Sequence, residues 1–125
     1  MSRVQLALNV ADIDEAISFY SRLFATEPTK VRPGYANFAV ADPPLKLVLN
    51  SPGNAPGGTI NHLGDEVGST TDVTQAETRL AGAGLATDSR PGTERCYARQ
   101  DKVWVHDLDG VAWEYYTVLE HIETP

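Results

Sequence analysis

Apolar and polar positions alternate along "RVQLALNV", Arg3 to Val10, a period of two that predicts a strand with one buried face. The period changes in "DIDEAISFYSRLF", where Ile13, Ala16, Ile17, Tyr20 and Phe24 recur at helical spacing and Asp12 with Glu15 makes a capping-box signature. After a proline-containing stretch, "YANFAVA" and "LKLVLNS" read as two further strands joined by a turn at Asp42-Pro43-Pro44. "NSPGNAPGG", Asn50 to Gly58, is loop by composition and the natural boundary between two halves.

The second half restarts the pattern. "HLGDEV" can be laid on "QLALNV", Gln5 against His62, and the offset of 57 residues still holds at the helix ends, where Arg79-Leu80 answers Arg22-Leu23. Farther along, "DGVAWEYY" answers "DPPLKLVL", Asp109 against Asp42, at an offset of 67 residues. The ten additional residues coincide with "PGTERCYARQ", an insertion between helix and final hairpin. The pattern predicts an α+β fold: one domain over 1–125, built of two tandem βαβββ modules, about 1–52 and 59–119. Their strands are expected to form a curved mixed sheet, with helices on one face and a metal-binding cavity on the other.

That duplication decides where polar side chains point. Leu6, Leu8 and Val10 belong to the helix-facing side of the first strand, which sends Gln5, Ala7 and Asn9 toward the cavity. The same register sends His62, Gly64 and Glu66 there, and leaves Asp65 on the helix side, an awkward place for a carboxylate. In "AWEYYTV", Glu114 shares a face with Tyr116 and Val118, and a carboxylate in such a strand is costly to bury unless it is paired or holds a cation. Gln5, His62 and Glu114 are therefore candidates to converge as a metal site. The fourth symmetric position falls on Leu47, which cannot ligate. Three N and O donors with open positions suit Fe(II), Mn(II), Ni(II) or Zn(II) in a catalytic rather than a structural site. The bland alternative pairs Glu114 with Lys102 or an arginine.

Composition adds exclusions. With 42% hydrophobic and 22% charged residues the chain is ordinary globular, and its net charge of −7 argues against a nucleic-acid surface. No apolar run reaches membrane length, so a cytoplasmic protein without membrane contacts is expected. Four of the ten Lys and Arg residues fall between Arg90 and Lys102, and the only cysteine, Cys96, lies among them. The cations Arg95, Arg99 and Lys102 are expected to favour the Cys96 thiolate, and Pro91-Gly92 to start a mobile lid. Asp107-Leu-Asp109-Gly110 reads as a hairpin turn rather than a calcium loop, and His121 lies in a tail expected to fray.

The segments "PGYANFAVADPPLKLVLN", "NHLGDEV", "CYARQDKVWV" and "WEYYTV" resemble the vicinal oxygen chelate superfamily, which includes glyoxalase I, bleomycin-resistance proteins and extradiol dioxygenases. Within it they closely resemble the CadI and C–As lyase (ArsI) family. The resemblance implies paired βαβββ modules and a metal held by Gln5, His62 and Glu114. It implies an Fe(II)- and O2-dependent cleavage of the C–As bond of trivalent organoarsenicals, with release of arsenite. Glu114 and Cys96 then carry the chemistry, and Cys96, Arg95, Arg99, Lys102 and Tyr97 bind the substrate. One departure matters: family members typically carry two adjacent cysteines where this chain has Arg95-Cys96, so one As–S bond replaces a chelate unless a second copy of the chain in a homodimer adds its own thiol. The resemblance also accommodates a cadmium- or metalloid-binding resistance protein without turnover, or another enzyme of the glyoxalase or dioxygenase type.

Overall fold

A computed structural model describes residues 2–51 and 60–123. Most of the Pro/Gly-rich boundary segment lies outside the described residues. The element order repeats once: β1 (Arg3–Asn9), α1 (Ile13–Phe24), β2 (Lys30–Arg32), β3 (Tyr35–Val40) and β4 (Leu45–Asn50) are followed by β5 (Ile60–Glu66), α2 (Thr70–Gly82), β6 (Asp88–Arg95), β7 (Ala98–His106) and β8 (Ala112–His121). This is the α+β succession of two βαβββ modules with mixed pairing that the hydrophobic pattern predicts. The short β2 is an addition to the three strands read from the pattern in the first half. The chain divides into two compact units, the first spanning Arg3–Leu63 and the second running from Gly64 onward, so β5 contributes to both.

In the first unit β1 lies parallel to β4, and β3 runs antiparallel to both β2 and β4. Asp12 caps α1, its Oδ1 accepting from the Glu15 amide at 3.0 Å, and the chain leaves the helix through Ala25 in a left-handed conformation. The predicted stripe of Ile13, Ala16, Ile17, Tyr20 and Phe24 packs with Leu6, Leu8 and Val10 on a buried cluster of Phe38, Val40, Leu47 and Leu49. The helix-facing side of β1 is thus the one its alternation gives. Truncating a buried leucine of such a cluster to alanine costs about 2–5 kcal/mol.

Leu47 corrects the symmetry argument. It stands opposite Leu6 in the β1–β4 ladder and belongs to the α1-facing core, whereas Glu114 points away from α2, since its neighbour Tyr115 takes a hydrogen bond from Arg79 of α2 at 3.2 Å. Residues 67 apart therefore occupy opposite faces of their modules, and Leu47 is not the counterpart of Glu114.

In the second unit Ser69 caps α2 through the Asp72 amide, and Val73, Ala76 and Leu80 bury its inner face. Strands β6, β7 and β8 are antiparallel neighbours. The ten extra residues emerge as longer hairpin arms. The β2–β3 hairpin has arms of three and six residues, β6–β7 of eight and nine. His121 is the last residue of β8, opposite Ala98, rather than part of a frayed tail. Asp107 closes the β7–β8 turn, its Oδ1 accepting from the amides of Asp109 and Val111 at 2.9 Å, which is turn chemistry and not calcium ligation.

Candidate metal and thiol sites

Gln5 and His62 meet. Both are buried, at 4% and 7% exposure, and Nε2 of Gln5 lies 3.0 Å from Nε2 of His62. Strand β1 supplies the first and β5 the second, from the matched register positions, so the pairing of sister residues has a geometric counterpart. Asn61 and Asn9, the first never singled out in the sequence, complete the group. His62 Nδ1 stands 2.8 Å from Asn61 Oδ1, and Asn61 Nδ2 donates to Asn9 Oδ1 at 2.9 Å. All four residues belong to the first unit.

Glu114 is 2% exposed and lies in the second unit, where Lys102, 3% exposed, holds Nζ 2.8 Å from its Oε1. The ammonium also lies over the rings of Trp104 and Tyr116, at 5.2 and 5.8 Å from their centroids. Tyr116 donates in turn to Glu66 Oε1 at 2.9 Å. The buried Glu114 carboxylate thus faces one buried ammonium, which in turn lies over two aromatic rings.

The basic segment is less basic than its composition. Arg90 makes a two-pronged pair with Asp88 at 2.9 and 2.7 Å, and those hydrogen bonds hold the Asp88 carboxyl below its ordinary value. Arg99 pairs with Glu120 at 2.8 Å, and Lys102 with Glu114. Arg99 and Lys102, two of the three cations expected to favour the Cys96 thiolate, thus each pair with a carboxylate. Arg95, the immediate neighbour of Cys96, makes no ion pair among the described residues.

Cys96 and Tyr97 form the two-residue tip of the β6–β7 hairpin, closed by the Arg95–Ala98 pair. Their φ values of 53° and 61° are both left-handed, as a type I′ turn requires. Without glycine, each such residue costs roughly 1–2 kcal/mol. Tyr97 is buried at 6% exposure, and its carbonyl accepts from the Ile122 amide at 2.9 Å, which ties the tip to the end of β8. Pro91 and Gly92 are a β-bulge and not the start of a loose lid: the register shifts between Arg90 and Thr93, and the Gly92 amide donates to Asp101 Oδ1 at 2.8 Å. The other oxygen of Asp101 accepts from Thr70 at the start of α2, at 2.6 Å.

Among the described residues no three His, Cys, Asp or Glu side chains cluster, and no helix is long and apolar enough to cross a membrane. The donor set at issue includes a glutamine. Its chemistry (a buried imidazole, an amide and a buried carboxylate) fits a borderline divalent cation such as Fe(II), Mn(II), Ni(II) or Zn(II).

The family model of the Glyoxalase/Bleomycin resistance protein/Dioxygenase superfamily matches residues 3–115, and the chain belongs to that superfamily. Among solved structures, the Mn(II)-bound glyoxalase from Novosphingobium aromaticivorans shares the fold with a TM-score of 0.66 at 20% identity, over 100% of this chain and 43% of that one. Homoprotocatechuate 2,3-dioxygenase from Arthrobacter globiformis does so with 0.64 at 20%, over 97% and 36%. Within the superfamily the chain stands close to CadI and the organoarsenical-cleaving enzymes. It is 62% identical over 125 residues to the cadmium-induced protein CadI of Mycobacterium tuberculosis, covering 99% of this chain and 81% of the relative. It is 52% identical over 124 residues to the trivalent organoarsenical cleaving enzyme of Thermomonospora curvata, covering 99% and 82%.

Proposed function

We propose that this protein is an Fe(II)-dependent enzyme that cleaves the C–As bond of trivalent organoarsenicals with O2 and so serves arsenic resistance in the cytoplasm, as a homodimer. The 52% identity to an enzyme of that activity across nearly the whole chain carries the reading. The buried Gln5–His62 contact supports it locally.

In this reading Gln5, His62 and Glu114 hold the metal. Bound there, Fe(II) supplies the one-electron chemistry that O2 needs to react with a closed-shell substrate. An amide ligates through its oxygen, so Gln5 then presents Oε1 where its Nε2 now meets His62. Glu114 contributes the only ligand charge, and Lys102 balances it. Cys96, half-buried at the tip of the β6–β7 hairpin, binds the arsenic, a soft thiophilic centre. Arg95 precedes that cysteine in the chain, and Tyr97, tied to β8, fixes the tip that bears it.

Anaerobic Fe(II) titration is the test. One equivalent is expected to bind wild type, and Glu114→Gln is expected to lose most binding. Full stoichiometric binding by that variant contradicts the ligand assignment. The 62% identity to CadI favours a second reading, a metal- or metalloid-binding protein without turnover. That reading predicts Cd(II) or As(III) bound through Cys96 with no O2 consumed.

A further inference from the structure

We propose that Asn61, anchored by Asn9, is a positioning residue that sets the tautomer of His62 and thereby aims its Nε2 lone pair at Gln5. The inference rests on the metal-site reading above for its consequence, but not for its geometry.

With the amides of Asn9, Asn61 and Gln5 oriented as the structure has them, each hydrogen bond in this group has one direction. Asn61 spends its NH2 on Asn9 Oδ1 at 2.9 Å, which turns its own carbonyl oxygen toward His62 Nδ1 at 2.8 Å. An amide oxygen only accepts, so Nδ1 carries the proton. A neutral imidazole has one N–H, so Nε2 keeps its lone pair. At the far side of the ring, Gln5 presents an NH2 at 3.0 Å, a donor that needs that lone pair as its acceptor. The opposite tautomer sets N–H against NH2 at one nitrogen and a lone pair against a carbonyl oxygen at the other. Both clashes fall on a ring 7% exposed, where water offers little relief.

A divalent cation takes the imidazole through a lone pair, and the group on the opposite nitrogen decides which one is presented. Asn61 thus prepares Nε2 before any metal arrives. Removing such an outer partner typically weakens metal affinity about 10–100-fold.

Nitrogen-15 NMR of the metal-free protein, with labelled histidine, reads the tautomer directly at about pH 9, where an ordinary histidine is neutral. Wild type is expected to show His62 protonated at Nδ1. Asn61→Leu is expected to move the population toward Nε2–H, and Asn61→Asp to restore Nδ1–H. Should Asn61→Leu fail to fold, Asn9→Ala, which frees the Asn61 amide to turn, is expected to shift the population in the same direction. An Nε2-protonated His62 in wild type, or a tautomer indifferent to these substitutions, overturns the proposal. Co(II) titration of the same proteins reads the consequence, with affinity about 10–100-fold lower for Asn61→Leu and recovered in Asn61→Asp. Unchanged affinity despite a shifted tautomer overturns the positioning role. If wild type binds no Co(II), Fe(II) or Zn(II) while the tautomer responds as expected, the metal reading fails and the tautomer assignment stands.

Discussion

Glu114 and Lys102 are each almost wholly buried, and the 2.8 Å pair between them makes either substitution expensive. Lys102→Met leaves a carboxylate in the interior without its ammonium and is expected to destabilise the protein by about 3–5 kcal/mol. The double variant Lys102→Met with Glu114→Gln is expected to cost less than the two single variants together, because each removes the other's uncompensated charge. Urea denaturation of the four proteins measures this, and strict additivity contradicts the pairing. Cys96 raises a separate residue-scale expectation. Cys96→Ser keeps size and polarity but loses the soft donor, so organoarsenical turnover is expected to collapse while Fe(II) binding stays intact. Turnover of carbon-only substrates that survives the change points to another enzyme of the superfamily.

The β6–β7 hairpin holds most of what distinguishes the second module from the first. At the equivalent turn the β2–β3 hairpin uses Pro33-Gly34, with Gly34 at φ 67°, whereas the longer hairpin places Cys96 and Tyr97 at positive φ. Asparagine tolerates that conformation better than cysteine. Cys96→Asn is therefore expected to raise stability by roughly 1 kcal/mol while abolishing organoarsenical turnover, a trade readable by thermal unfolding beside an arsenite assay. A drop in stability contradicts strain at the tip. At the base of the same hairpin, Asp101 joins the Gly92 amide to Thr70 of α2. Asp101→Ala is expected to increase hydrogen exchange at the Gly92 amide by roughly tenfold or more, as loss of a single charge-assisted hydrogen bond implies, and protection equal to wild type contradicts the tie.

Across the whole molecule, the modules were readable because alternation in "RVQLALNV" and the stripe of α1 each encode a buried face, and those faces are the ones that pack. The contact of Gln5 with His62 followed from the same register. Counting offsets failed at Leu47, since residue spacing carries no record of β-bulges or of which face a strand regains after a longer hairpin. The basic segment is a related case. Glu114 was a partner the sequence offered for Lys102, whereas Glu120, the partner of Arg99, lies across a strand pair that only the β7–β8 register brings together. Asn61 left no signal at all, because its role depends on the direction of two hydrogen bonds rather than on residue type.

The proposed activity as a whole turns on one reaction. Protein reconstituted with Fe(II) without oxygen is given a trivalent methyl- or phenylarsenical, then O2, and free arsenite is measured. Arsenite release that requires Fe(II), O2 and Cys96 together is the predicted result. No arsenite from fully Fe(II)-loaded protein, or equal release after Fe(II) is removed, contradicts the account.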